Sequence, residues 1–175
     1  MGKNIVLVGF MGSGKSTVGR RLARRLGYGY VDTDQMVESK AGKRVAEIFK
    51  EEGEAVFRAL ERLAVEKASM GDSRVIACGG GAVIDRENVV ALKRNGALIY
   101  LKASKASLIE RLERGIEKRP LLKTEDVEAR VRELLEQRVK IYERVADAVV
   151  DTDGLSPAGV VEEIIRMVRS REVEL

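Results

Sequence analysis

Histidine and tryptophan are missing from all 175 residues, and cysteine occurs once, as Cys78. Without imidazole there is no Ser-His-Asp or Cys-His nucleophile, no phosphohistidine intermediate and no histidine-bound metal. Acid–base chemistry is left to carboxylates, lysine, arginine or the backbone. A lone cysteine rules out an internal disulfide and a cysteine-rich metal site, and agrees with a reducing, cytoplasmic setting. No apolar run approaches the ~20 residues of a membrane span. The start, Met1-Gly2-Lys3-Asn4-Ile5-Val6, lacks a signal-peptide pattern, and Val6 stands where myristoylation wants Ser or Thr. Aromatics are only 4% and net charge only +4, so a nucleic-acid surface with its basic stripe and interleaved aromatics is not expected; a small anionic ligand is. Arg20, Arg21, Arg24 and Arg25 read as a solvated helix face. One domain spanning residues 1–175 is expected, acting as a monomer.

Against these absences stands one complete motif. Gly9-Phe10-Met11-Gly12-Ser13-Gly14-Lys15-Ser16 follows the apolar run Ile5-Val6-Leu7-Val8 and opens a helix-forming stretch, matching G-x-x-x-x-G-K-[ST] in its proper context. Its glycines let the backbone curl so that successive N–H groups face a triphosphate, and the helix adds its positive end. Gly12, Ser13, Gly14, Lys15, Ser16 and Thr17 are therefore the expected ATP-binding residues. Lys15 would reach the β- and γ-phosphates, and Ser16 would hold Mg²⁺. The dinucleotide fingerprint G-x-G-x-x-G fails, because Thr17 stands where the third glycine is needed.

Five short β-branched or apolar runs alternate with helical stretches: Ile5 to Val8, Tyr28 to Val31, Val75 to Cys78, Leu98 to Leu101 and Ala148 to Val150. This predicts an α/β fold with a parallel sheet covered by helices. Ligands bind at the carboxyl ends of such strands, so the turns after the first three should converge on one crevice. Residues 112–124, with Pro120 to stop any helix, form a candidate mobile lid.

Asp32 and Asp34 follow the second strand, and alternation along an extended chain would send both carboxylates to one side. They could serve Mg²⁺ and an acceptor hydroxyl, as phosphoryl transfer requires; equally, Asp34 could cap a helix beginning at Gln35. The third strand runs into Gly79-Gly80-Gly81 rather than an acidic pair, which argues against a hydrolytic motor. The triplet offers bare backbone to a ligand or is a flexible turn before a helix at Asp85. The long helix near Glu125 to Val145 places Arg138 on an apolar stripe with Val127, Val131, Leu134, Ile141 and Val145. A buried arginine needs an internal carboxylate or an anionic ligand. Arg58, with Glu54 and Glu61 one helical turn to either side, reads as a surface ion pair.

Together these residues resemble the shikimate kinase family, a branch of the nucleoside monophosphate kinase-like P-loop proteins. The likeness runs end to end through residues 9–19, Asp32-Thr33-Asp34, Phe57-Arg58-x-x-Glu61, Gly79-Gly80-Gly81, Arg119-Pro120-Leu121-Leu122 and Arg138-x-x-x-Tyr142. The resemblance implies strand order 2-3-1-4-5 and transfer of the ATP γ-phosphate to the 3-hydroxyl of shikimate. It implies that Arg58 and Arg138 clamp the shikimate carboxylate and that Glu61 orients Arg58. Asp34 with Gly79, Gly80 and Gly81 would take the ring hydroxyls, with Asp34 as base or hydroxyl-orienting group. Asp32 would touch Mg²⁺ through water, while Lys15 and Arg119 stabilise the transferring phosphoryl group. Val45, Phe49 and Phe57 match apolar positions around the acceptor, and Arg111 resembles an arginine that stacks on adenine.

Overall fold

The computed structural model describes residues 3–113, 126–170 and Val173; Arg119 and most of the expected lid lie outside the described residues. Five strands, β1 (Asn4–Val8), β2 (Gly29–Asp32), β3 (Arg74–Ala77), β4 (Gly96–Lys102) and β5 (Ala148–Asp151), form one parallel sheet in the order β2-β3-β1-β4-β5. All five expected runs are strands, with edges moved by one or two residues. The order agrees with the one implied by the family resemblance.

Eight α-helices are described: α1 (Lys15–Leu26), α2 (Thr33–Ala41), α3 (Val45–Glu51), α4 (Glu54–Ser69), α5 (Arg86–Arg94), α6 (Lys105–Glu113), α7 (Val127–Val145) and α8 (Pro157–Arg169). Strand alternation sorts the core into two layers. Ile5, Leu7, Val75, Ala97, Ile99 and Leu101 pack with Val18, Leu22, Val160 and Ile164 of α1 and α8. Val6, Val8, Ile76, Leu98 and Tyr100 pack on the opposite face with Val65, Leu92, Leu108, Val131 and Tyr142 of α4 to α7. Because both faces are covered, the central strands are continuous apolar runs rather than alternating ones. A smaller cluster of Val37, Ile48, Phe57 and Ala64 joins α2, α3 and α4 beside the sheet edge. Val45 and Phe49 pack against this cluster, and the rings of Phe49 and Phe57 lie 4.6 Å apart. Arg20, Arg21, Arg24 and Arg25 are exposed on α1, as expected. Among the described residues no helix is long and apolar enough to cross a membrane.

Candidate active site

The phosphate-loop half of the site begins where β1 ends. Gly12 and Gly14 take left-handed φ angles of 83° and 95°, the Ser13 N–H donates to the Phe10 carbonyl at 3.1 Å, and α1 starts at Lys15. Lys15 is buried, and its Nζ donates to the carbonyls of Gly9 and Phe10, both at 2.8 Å. The loop thus curls around its own lysine, with the first turn of α1 facing the cleft. That cleft, of about 560 Å³, is lined by the loop from Met11 to Thr17, by Asp32, Asp34, Cys78 and Gly80, and by Arg111, Thr152, Leu155 and Pro157 further along. A volume in this range suits a nucleotide-sized ligand. Arg111 Nη1 donates to Thr152 Oγ1 at 3.4 Å, which places that arginine on the cleft wall.

The two aspartates reach the cleft in a way the sequence pattern does not convey. Asp32 ends β2 in extended conformation and caps α2, its Oδ1 accepting from the N–H groups of Asp34 at 3.1 Å and Gln35 at 3.3 Å. The helix therefore starts at Thr33, not Gln35, and the cap is Asp32, not Asp34. Nor are the carboxylates brought together by strand alternation, since Asp34 lies in the first turn of α2. The other oxygen, Asp32 Oδ2, accepts from Ser16 Oγ at 2.9 Å and from the Tyr30 hydroxyl at 3.0 Å. This ties β2 to the phosphate loop. Hydroxyl and carboxylate oxygens are the hard donors that Mg²⁺ prefers, so Ser16 and Asp32 fit such an ion. Freed from capping, Asp34 leaves Oδ1 buried without a partner among the described residues. Burial, and then the negative charges of Asp32 and Glu61, push its carboxyl up from 3.8 to about 7, against the pull of Lys15.

The other half is assembled around the glycine triplet. The Gly79 N–H donates to Thr33 Oγ1 at 2.9 Å, the Tyr142 hydroxyl donates to the Gly80 carbonyl, and Ile84 N–H donates to the Gly81 carbonyl at 3.0 Å. The turn is held at every residue, so it is no loose hinge. It leads into a short 3₁₀ turn, Ala82–Ile84, and Asp85 caps α5. A side chain here would displace charged groups: a Cβ on Gly79 would come within 2.6 Å of Asp34 Oδ1 and 2.9 Å of Glu61 Oε1, and one on Gly81 within 2.6 Å of Arg58 Nη1. Only glycine lets these charged groups lie flat on the backbone.

Arg58 donates to Glu61 Oε2 at 2.7 Å and to Glu54 Oε1 at 2.9 Å. The surface-pair reading holds for Glu54 but fails for Glu61, which is 1% exposed. Burial raises the Glu61 carboxyl above its ordinary range, although Arg58 and Arg138 pull it down. Its second oxygen, Oε1, has no partner among the described residues. Arg138 is 5% exposed, sits 6.0 Å from the Phe10 ring centroid, and makes no ion pair among the described residues. Four ionisable side chains, Asp34, Arg58, Glu61 and Arg138, therefore surround one turn at the end of β3, and each of the two carboxyl groups has an orphaned oxygen.

The shikimate kinase family model matches residues 11–169. The chain belongs to the shikimate kinase family. A shikimate kinase of Caldanaerobacter subterraneus subsp. tengcongensis is 48% identical over 164 residues, covering 94% of this chain and 95% of the relative. Among solved structures, the shikimate kinase of Acinetobacter baumannii in complex with shikimate superposes with a TM-score of 0.94 at 34% identity, covering 99% of this chain and 97% of that one. The Aquifex aeolicus shikimate kinase follows with a TM-score of 0.80 at 33% identity and coverage of 96% and 97%.

Of the residues expected at the site, Gly12 to Thr17, Asp32, Asp34 and Gly80 line one cleft. Arg58, Glu61 and Arg138 gather behind the triplet, whereas Arg119 falls outside the described residues. Five contributors went unread in the sequence. Thr33, hidden between two more conspicuous aspartates, secures Gly79. Tyr30, two residues before Asp32, secures its carboxylate. Thr152, Leu155 and Pro157 after β5 complete the wall opposite Arg111. Only the hydroxyl inside D-T-D carried a signal, because a polar residue at the base of a buried turn needs a partner.

Proposed function

We propose that this chain transfers the γ-phosphoryl group of ATP to the 3-hydroxyl of shikimate, giving shikimate 3-phosphate and ADP on the route to chorismate and the aromatic amino acids. The observation that carries the reading is Arg138. A guanidinium buried on an apolar helix stripe with no ion pair among the described residues, a short way from a phosphate loop, is placed for an anionic ligand that supplies a carboxylate. The resemblance to a relative solved with shikimate supports the same acceptor.

In this mechanism Arg138 and Arg58 grip the carboxylate of the acceptor in parallel donor pairs, and Glu61 keeps Arg58 in place. The unpartnered Asp34 Oδ1 takes the acceptor hydroxyl, orienting it and accepting its proton, a role suited by a carboxyl raised to about 7. Lys15 leaves its loop carbonyls for the β- and γ-phosphates and stabilises charge on the moving phosphoryl group. Ser16 and Asp32 would hold Mg²⁺, the latter through water; the ion would neutralise phosphate oxygens. Arg119 would supply a further cation, and Gly80 and Gly81 would present backbone to the ring hydroxyls. The Gly79 N–H is already given to Thr33, so that residue offers close approach rather than a donor.

ATP consumption measured in parallel with shikimate, gluconate and nucleoside monophosphates tests the assignment. Stimulation by shikimate alone is expected. Stimulation by gluconate or a nucleoside monophosphate in its place would overturn it.

A further inference from the structure

Tyr142 lies one helical turn beyond Arg138 on the same face of α7, fully buried, with its ring 5.1 Å from that of Tyr100. Its hydroxyl donates to the Gly80 carbonyl across 62 residues of chain. A carbonyl can only accept, so the phenol's single proton is committed to Gly80. The bond joins two elements that would otherwise be independent: the helix that carries the Arg138 cation and a glycine peptide with no Cβ to restrain it.

We infer that Tyr142 is a positioning residue for acceptor binding, its hydroxyl holding the turn of α7 that carries Arg138 in register with the Gly80 peptide. The inference rests on the reading that Arg138 grips the acceptor carboxylate. The Tyr142 hydroxyl sets how the Arg138 turn of α7 stands against the glycine triplet and which way the Gly80–Gly81 peptide faces. Tyr142→Phe keeps the ring stack and removes only the bridge.

Steady-state kinetics of Tyr142→Phe, Arg138→Ala and the double variant, with shikimate and ATP varied separately, test it. Tyr142→Phe should raise the shikimate KM about 5- to 20-fold, with kcat within about threefold and the ATP KM within about twofold. Arg138→Ala should raise the shikimate KM at least about 30-fold. Adding Tyr142→Phe to it should then cost less than about twofold more, because the bridge has lost the group it positions. An unchanged shikimate KM in Arg138→Ala would overturn the carboxylate reading itself. A normal response to Arg138→Ala, combined with a silent or fully additive Tyr142→Phe, would overturn the positioning role alone. Equal losses for both substrates, or a Tyr142→Phe protein that does not fold, would make the hydroxyl a general structural tie and overturn it as well.

Discussion

Lys15 meets the carbonyls of Gly9 and Phe10 across six and five residues of chain, whereas Thr33 reaches Gly79 across 46 and Tyr142 reaches Gly80 across 62. The proposed nucleotide half of the cleft is made of consecutive residues whose backbone would do most of the binding. The proposed acceptor half is made of side chains from α2, α4 and α7 brought to one turn by the sheet. Phosphate is recognised by a string of N–H groups, which one glycine-rich loop can supply. A small ring with a carboxylate and hydroxyls needs cations and acceptors at separate points, which no single segment can reach.

Three perturbations probe that contrast. The largest effect is expected from Lys15→Met, which removes the cation nearest the transferring group: kcat should fall about 10³-fold, while shikimate affinity by calorimetry should stay within about twofold. A parallel loss of shikimate affinity would show that the halves are not separable.

Asp34→Asn should lower kcat about 10²-fold, the scale of a lost general base. It should also abolish a limb in the pH profile of kcat/KM for shikimate, which in the parent protein rises with a midpoint near 7 as Asp34 loses its proton. The same substitution should stabilise the fold. With the carboxyl raised from 3.8 to about 7 in the native state, the unfolded chain releases its proton first as pH rises, so this group costs stability progressively between those values and fully above them. Melting temperatures should therefore gain a few degrees at pH 8 and almost nothing at pH 4. A variant that is both inactive and less stable at pH 8 would mean that Asp34 is structural.

Thr33→Val is the mildest. It leaves the buried Gly79 N–H without its acceptor, at about 1–3 kcal/mol, and should raise the shikimate KM a few-fold with the ATP KM unchanged. An effect on ATP instead would place the tether in the nucleotide half.

The same contrast explains what could be read before the fold was known. The phosphate loop is a local pattern with a local mechanism, and the parallel sheet follows from apolar runs buried on both faces; both were legible. The start of α2 was not, because Asp32 and Asp34 are equally good caps as residues, and the choice depends on the extended backbone at Asp32, on Ser16 arriving from α1 and on Tyr30 of the same strand. Arg138 was visible as an anomaly on its stripe, but a periodic pattern cannot tell an internal ion pair from an absent one. Glu61 looked like half of a surface pair because spacing along a helix reports neighbours, not depth. Tyr142 and Thr33 act on glycines half a domain away, and their partners exist only after β3 is threaded between β2 and β1.

Cys78 closes β3 at the floor of the cleft, buried, its thiol pushed far up by burial and by the carboxylates around it. It is held as an unreactive thiol against which reagents make little headway. Since it is the chain's single sulfhydryl, labelling reports access to the cleft floor. Its rate is a measure of how often the floor beneath Asp34 and Gly80 becomes open to a reagent.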